Sequence, residues 1–193
     1  MRLQHLNMEY VSNGDSFTQP SFSLKNRIAR AVWGVVWALM FKPSPRWAHA
    51  WRAMLLRLFG AKLGGNCRIY AKVEIWAPWN LVCGDTVGIG DKAIIYNQAP
   101  ISLGDRAVIS QGAHLCTGTH DYRTPGMPLI AKPISIGSLA WIAAESFVHP
   151  GVKIGEGAVI GARSVVTKDM PPWMICCGHP CVPVKARVLT ETL

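Results

Sequence analysis

The sequence has little negative charge and no long apolar run. Its 193 residues hold 11 Asp and Glu against 20 Lys and Arg, which gives a formal net charge of +9. The longest apolar stretch, residues 31–41, has about half of the roughly twenty residues that a helix needs to cross a bilayer. Residues 1–19 are polar and lack the apolar core of a secretory signal peptide. We therefore expect a cytoplasmic protein without a membrane-spanning helix.

Cysteines in metal-binding patterns are also lacking. None of the 6 cysteines forms a Cys-x-x-Cys pair, and most of them stand where the surrounding pattern has apolar residues. These spacings argue against a structural zinc site, so we expect reduced thiols and no bound metal.

A six-residue repeat runs through residues 63–170. Ile, Leu or Val, with one Cys, recurs at every sixth position between a few insertions, and a glycine often follows. This period fits neither a helix nor an isolated strand. It fits short strands joined by tight corners, where glycine takes backbone angles that other residues avoid, and it predicts an all-β solenoid of about five coils. The repeated positions are Leu63, Ile69, Ile75, Cys83, Ile89, Ile95, Leu103, Ile109, Leu115, Ile136, Ile142, Val148, Ile154, Ile160 and Val166.

Breaks in the repeat indicate how the chain is divided. Two-residue insertions fall near residues 80–82 and near Pro100, and the largest break is placed at residues 121–135, which are rich in proline. A loop that long in a compact repeat is usually either functional or disordered, and we predict a functional loop here. We predict an N-terminal part over residues 1–62, a β-helix over residues 63–170 that carries loop 121–135, and a short C-terminal tail over residues 171–193.

The N-terminal part is strongly basic and predicts two amphipathic helices. Ser23 is expected to cap the first, which ends near Phe41. The second is predicted over residues 47–59. Basic helices with tryptophans suit an anionic membrane surface, whereas the alternative is that they only cap the open end of the solenoid. No motif that reads nucleic acid is present, so nucleic acid is not an expected partner. The predicted apolar side of the second helix holds Trp47, Ala50, Trp51, Met54, Leu55 and Leu58.

His120 is the candidate general base. It stands at the last place of its hexapeptide, on a corner directly before the long loop, and Tyr96 and Asn97 lie one coil below. A neutral imidazole suits the removal of a proton near pH 7, and a hydroxyl that attacks a thioester must lose its proton. We expect the molecule that carries this hydroxyl, named the acceptor here, to be bound by Tyr96, Asn97, Asp121 and Tyr122.

Three segments carry a resemblance to a known family: Gly118-Thr119-His120, PISIGSLAWI at residues 133–142, and VVTKDMPP at residues 165–172 with Gly178-His179-Pro180. The chain resembles the hexapeptide-repeat, left-handed parallel β-helix acyltransferases, which include maltose, galactoside, nodulation-factor and xenobiotic acetyltransferases. The resemblance covers about residues 63–187. Within the family it is greatest to proteins provisionally named as colanic-acid-biosynthesis acetyltransferases, through PSFSLKNR at residues 20–27 and WAPWNL at residues 76–81.

The resemblance implies acetyl transfer from acetyl-CoA to a hydroxyl in a homotrimer whose active sites lie between subunits, with His120 as the base. The implied acceptor is a saccharide or lipid-linked saccharide, such as an exopolysaccharide precursor, and the alternative is a hydroxylated antibiotic or other natural product. Related sugar acetyltransferases bind the acceptor through an Asn near the position of Asn97. The galactoside enzyme has Ser where this chain has Ala144, so only a backbone N–H could stabilise an oxyanion there. The implied CoA contacts are Trp141, Ala143, Ala144, Gly161, Ala162 and Thr167, with Lys168, Lys185 and Arg187 near the CoA phosphates.

Two further alternatives belong to other functional classes. The same solenoid occurs in a zinc carbonic anhydrase with three His ligands, and this chain offers His114, His120 and His149. His114 and His120 are one hexapeptide apart on different corners, so they are not expected to converge on one ion. A non-enzymatic scaffold on a membrane surface is the other alternative.

Overall fold

The computed structural model describes residues 9–10, 17–18 and 20–190. Two helices precede a three-sided solenoid of short parallel strands. Helix α1 spans Leu24–Val36 and continues into a π-helical turn at Trp37–Phe41, and helix α2 spans His49–Leu58. A single 3-10 turn at Pro78–Asn80 fills the first two-residue insertion. The predicted β-solenoid is confirmed.

The strands stack into three faces, named here in chain order. The first face contains Lys62–Leu63, Leu81–Cys83, Ile101–Leu103, Ile134–Ile136 and Lys153–Ile154. The second face contains Arg68–Ile69, Gly88–Ile89, Val108–Ile109, Trp141–Ile142, Val159–Ile160 and Met174–Gly178. The third face contains Glu74–Ile75, Ile94–Tyr96, His114–Cys116, Phe147–Val148 and Val165–Val166.

The core is built from the six-residue repeat. Equivalent repeat positions are direct partners in neighbouring coils, as Leu63, Cys83 and Leu103 are on the first face. All of these side chains are buried except Leu63, which is half-buried at the end of the solenoid. Because each coil covers the apolar positions of the coil below, the column forms one continuous core.

The repeat glycines serve a purpose other than the predicted one. A Cβ on Gly104 would lie 2.4 Å from the Ser138 nitrogen of the next coil, and neither that glycine nor its equivalents along the repeat have a left-handed φ. The left-handed corner angle falls two residues later on ordinary residues, such as Arg106 with φ 56°. These glycines are therefore required for the close approach of neighbouring coils.

The helices cover the N-terminal end of the core. Trp33 Nε1 donates to the Ile75 carbonyl at 2.7 Å, and Trp37 Nε1 donates to the Val73 carbonyl at 2.8 Å. Phe41 and Leu56 are fully buried against the first coil. The structure thus has helices at both predicted places, and Ser23 is the N-cap of α1.

The alternative in which the apolar side of α2 packs on the solenoid does not match the structure, except at Leu55. The buried side contains Arg52, Ala53, Leu55 and Leu56. Arg52 is on this side because its guanidinium satisfies the exposed carbonyls of the first coil and of the loop before α2. Most of the predicted apolar side faces outward, and Trp47 is 81% exposed.

The long break in the repeat folds as a β-hairpin. Its strands are Gly118–His120 and Leu129–Ala131, and Glu9–Tyr10 pairs antiparallel with the second of them. The hairpin begins before the first residue of the predicted loop 121–135, and its second strand ends before the last residue of that loop. The loop ends early because Ile134 already pairs with Ile101 and is buried in the first face.

The C-terminal part adds a second hairpin. Its first strand is Met174–Gly178, which continues the second face, and its second strand is Cys181–Ala186. Within the described residues, no helix is long and apolar enough to cross a membrane.

Candidate active site

His120 lies on the hairpin that leaves the corner between the third and first faces. Its ring is exposed, and Nδ1 is 2.7 Å from the carbonyl oxygen of Met127 across the hairpin. A carbonyl can only accept a hydrogen bond, so Nδ1 carries the proton in the neutral ring. The contact therefore leaves the lone pair on Nε2, which is the form that a general base needs.

The turn of the hairpin is ordered by Asp121. Its carboxylate accepts from the backbone N–H of Arg123 at 3.2 Å and from Nε of Arg123 at 2.9 Å. Hydrogen bonds from the Arg123 side chain, and then from its backbone, lower the pKa of Asp121. Asp121 is buried beneath the turn, whereas Tyr122 is 83% exposed. Of these two predicted acceptor contacts, only Tyr122 presents its side chain outward.

Asn97 lies inside the corner below. It is fully buried, and its amide both accepts from the N–H of Ala77 at 2.9 Å and donates to the carbonyl of Ala77 at 2.7 Å. Both polar groups of the side chain thus hold the insertion of the preceding coil in place. This placement argues against the predicted acceptor contact, because the acceptor would have to displace two buried hydrogen bonds.

Tyr96 belongs to a row of aromatic rings on the third face. Its ring lies between Trp76 and His114, and its hydroxyl accepts from Nε2 of Gln98 at 2.8 Å. Tyr96 is half-buried one coil below the start of the hairpin. Besides Tyr122 on the hairpin itself, Tyr96 is therefore the predicted acceptor residue that is accessible near the hairpin.

The predicted CoA residues form two groups on different edges of the solenoid. Ala143 and Ala144, with Gly161 and Ala162 one coil further on, lie at the corner between the second and third faces. Trp141 lies on the second face beside this corner, is 45% exposed, and donates from Nε1 to Ser110 Oγ at 2.8 Å.

The second group shares its edge with the candidate base. Thr167 and Lys168 are exposed at the corner between the third and first faces, two coils beyond His120. One chain therefore places His120 on one edge and the alanine and glycine positions on another.

The three basic residues predicted at the CoA phosphates are not brought together. Lys185 lies on the C-terminal hairpin, opposite Ile175. Nη1 of Arg187 donates to the carbonyls of Leu139 and Gly157, each at 2.8 Å, which ties the hairpin to the corner between the first and second faces.

The three candidate zinc ligands do not form a cluster. His114 and His149 each pack against Phe147, with ring-centroid distances of 4.8 and 5.1 Å, whereas His120 is on the hairpin. Burial lowers the pKa of His114, so this ring is held neutral in the aromatic row. No group of three His, Cys, Asp or Glu side chains able to hold a metal occurs in the described part of the chain.

Sequence reasoning missed two partners in the site. One is the Met127 carbonyl that fixes the tautomer of His120, and the other is the Ser110 hydroxyl that orients Trp141. Backbone carbonyls carry no sequence signal. Ser110 could have been found, because it is the outward residue one coil below Ala143.

Comparisons with known proteins agree with this fold. Residues 133–168 match the family of bacterial transferases with six hexapeptide repeats. The chain is 45% identical over 166 residues to an Escherichia coli (strain K12) protein provisionally named colanic acid biosynthesis acetyltransferase WcaF, covering 86% of this chain and 91% of that protein. It is 32% identical over 144 residues to the galactoside O-acetyltransferase of the same organism, covering 72% of this chain and 68% of that protein.

Solved structures show the same architecture. A hexapeptide-repeat acetyltransferase of Vibrio cholerae, solved in complex with acetyl-CoA, superposes with a TM-score of 0.77 at 28% identity, covering 85% of this chain and 90% of that chain. A galactoside acetyltransferase in complex with coenzyme A gives a TM-score of 0.78 at 25% identity, covering 85% and 83%.

Fold and sequence together define an acyltransferase built on a left-handed parallel β-helix. The chain belongs to the hexapeptide-repeat acetyltransferase family, as the identity to the Escherichia coli relative over most of both chains shows.

Proposed function

We propose that the chain transfers an acetyl group from acetyl-CoA to a hydroxyl of a saccharide, such as a precursor of an exopolysaccharide. The relative at 45% identity is named for colanic acid biosynthesis, and two structural neighbours were solved with acetyl-CoA or CoA. The observation that carries the reaction is the contact between His120 and the Met127 carbonyl, which fixes the imidazole as a base.

The proposed reaction proceeds directly between the two substrates. Nε2 of His120 takes the hydroxyl proton while the acceptor oxygen attacks the thioester carbonyl carbon. The carbon–sulfur bond then breaks, and the sulfur of CoA leaves with the proton from the imidazolium. The Met127 carbonyl stabilises the positive ring through the hydrogen bond from Nδ1.

A complete site is proposed to need two chains of a homotrimer. His120 and Lys168 lie on one edge of the solenoid, whereas Ala144 and Ala162 lie on another. If the edge that carries His120 on one chain meets the edge that carries Ala144 and Ala162 on its neighbour, the base would lie beside the predicted CoA contacts, between subunits.

We also propose that the helices hold the enzyme on the cytoplasmic face of an anionic membrane. One side of the helices caps the solenoid, and the other side exposes a stripe of apolar residues among basic ones. Such a surface suits the headgroup layer, where each basic residue contributes about 1 kcal/mol. The exposed apolar residues are Leu24, Ile28, Val32, Val35, Leu39, Met40, Trp47, Trp51, Met54 and Leu58.

The reaction is tested by replacing His120 with Asn and, separately, with Ala. Asn can keep a donor near the Met127 carbonyl but cannot act as a base, so both variants should lose about 10²–10⁴ in kcat. Thiol release from acetyl-CoA in the presence of a saccharide panel measures the rate, and acetyl-CoA affinity should stay unchanged. An Asn variant that keeps more than a tenth of the wild-type rate would remove His120 from the role of base.

A further inference from the structure

A groove runs along the second face below Trp141. Its cavity of about 460 Å³ lies beside the first three coils and falls in the size range of small-molecule sites. Arg46, Arg68 and Tyr70 line one end, and Ser110 and Gln111 line the end toward Trp141. Ser110 is the residue that receives the Trp141 indole N–H, so the groove ends at the predicted CoA path.

The floor of the groove is Gly88. Strand register places Arg68, Gly88, Val108 and Trp141 in one outward column. A Cβ on Gly88 would meet nothing within 4 Å, and its φ is outside the left-handed region. Neither the backbone conformation nor close packing therefore requires glycine at this strand position. Its effect is to leave a gap between Arg68 and Val108.

The groove carries an excess of positive charge. The guanidinium of Arg46 lies 5.2 Å from the centroid of the Tyr70 ring. The backbone carbonyl of Arg46 accepts a hydrogen bond from Nη2 of Arg52 at 2.8 Å. Within the described residues, the ion pairs are those of Arg123 and Arg163, so neither groove arginine has a carboxylate partner. The acidic residue of the groove, Asp91, accepts from the backbone N–H of Lys72 at 3.2 Å.

We propose that this groove binds an anionic saccharide through Arg46 and Arg68, the anion being a uronate carboxylate or a sugar phosphate. Guanidinium groups pair with both anions in bidentate geometry. Its part in catalysis rests on the proposed function: the bound sugar would be the non-reacting part of the acceptor. Coil spacing puts Arg68 roughly 14 Å from Trp141, so an extended acceptor can reach both.

A second cavity, between α1 and the third face, fits this ligand less well. It has a volume of about 470 Å³ and contains one arginine, Arg30. That guanidinium lies over the rings of Phe22 and Trp76 and donates to Asn26, and Glu74 also lines the cavity. Its single arginine is therefore matched by one glutamate and already donates to Asn26, whereas the second-face groove has two arginines against one aspartate.

The test is a binding measurement on the full-length protein without acetyl-CoA. Glucuronate, glucose 1-phosphate and glucose are titrated at low salt and followed by ligand-observed NMR. We expect at least one anionic sugar to bind about tenfold more tightly than glucose and to lose that advantage in salt, because only the anion forms charge-assisted hydrogen bonds with the arginines and salt screens this attraction. The preferred anion identifies the carboxylate or the phosphate as the recognised group.

Two glycine variants separate the two cavities. Gly88→Leu fills the second-face groove, and Gly34→Leu fills the other cavity, since a Cβ on Gly34 also meets nothing within 4 Å. Gly88→Leu should abolish the preference for the anionic sugar, and Gly34→Leu should leave it intact. Arg68→Gln, an exposed change that does not threaten folding, should reduce it about tenfold.

Equal binding of glucose and both anionic sugars, or a preference that survives Gly88→Leu and Arg68→Gln, would overturn the proposal. So would a loss caused by Gly34→Leu alone. The proposed function fails by a different readout, namely the absence of His120-dependent thiol release. Anion binding that disappears with Gly88→Leu in a protein without transferase turnover would keep the groove and reject the reaction.

Discussion

Replacing Arg52 with Met should detach the helical cap from the solenoid. Arg52 has no exposed surface, and its guanidinium donates to the Ile69 carbonyl at 2.6 Å and to the Pro45 and Arg46 carbonyls at 2.9 and 2.8 Å. Burial lowers the pKa of Arg52, but a guanidinium stays charged in proteins. Methionine fills a similar volume without donors, so the variant isolates the hydrogen bonds from the packing.

The expected loss follows from the three carbonyls. Each buried acceptor left without a donor costs about 1–3 kcal/mol, and the two in the loop before α2 can regain water after a small movement. We therefore take the lower end of that range and expect a loss of about 3 kcal/mol. The loss should be local to the cap, because the solenoid core above the first coil does not depend on Arg52.

A matched control is present in the same helix. Arg57 also donates to two first-coil carbonyls, those of Leu63 and Gly64, but it is exposed, so Arg57→Met should cost less than about 1 kcal/mol. Urea unfolding at fixed protein concentration, with hydrogen exchange of the helical amides, measures both variants. If Arg52→Met destabilises the helices no more than Arg57→Met does, the buried hydrogen bonds are not what holds the cap.

Three further predictions concern the CoA end, the membrane and the hairpin. Replacing Lys168 and Lys185 together with Gln should raise the KM for acetyl-CoA and weaken its salt dependence, and an unchanged KM at low salt would remove them from the phosphate site. Trp47→Ser with Leu58→Ser should abolish co-sedimentation with anionic vesicles while leaving the fold intact, since both side chains are largely exposed, whereas equal recovery of wild type and variant in the supernatant would leave the helices as a cap alone. The pKa of Asp121 is lowered from 3.8, so the carboxylate should order the hairpin fully above pH 3.8 and lose this effect only as the pH falls through the lower pKa of the folded protein. The kcat of Asp121→Asn should therefore be reduced at neutral pH. An unaltered kcat would contradict the ordering role of Asp121.

The repeat made the solenoid predictable to the residue. Ile69, Ile89 and Ile109 are direct partners in successive coils, because a period of six places the same side chain inside at every coil. Handedness and enzyme class came from the family resemblance, since a hydrophobic period contains no information on either. The hairpin boundaries could not be read, because Ile134 looks like loop sequence after Pro133 until its pairing with Ile101 is known.

The side of α2 that packs on the solenoid does not follow the apolar pattern of the helix. Arg52 is buried on that side, whereas Trp47 and Leu58 are exposed. A solenoid end exposes carbonyls as well as apolar side chains, so the best cap residue is a long donor such as Arg52. The sequence also predicted that Asn97 contacts the acceptor. In the structure, its side-chain amide instead forms two hydrogen bonds with the backbone of Ala77, beside the insertion in the preceding coil.

The proposed membrane-binding surface and the proposed anion groove meet at one loop. Arg46, at one end of the groove, is followed directly by Trp47, which is 81% exposed beside Met40 and Trp51. An acceptor linked to a lipid through phosphate carries its negative charge at the headgroup layer, next to the first sugar. Held there by the helices, the enzyme would present Arg46 and Arg68 at the height of that phosphate, and the groove would lead the sugars toward Trp141. A free sugar nucleotide could pair its phosphate with the same arginines but would gain nothing from the helices beside them, so the position of Arg46 next to Trp47 supports the proposal of a lipid-linked saccharide as the acceptor.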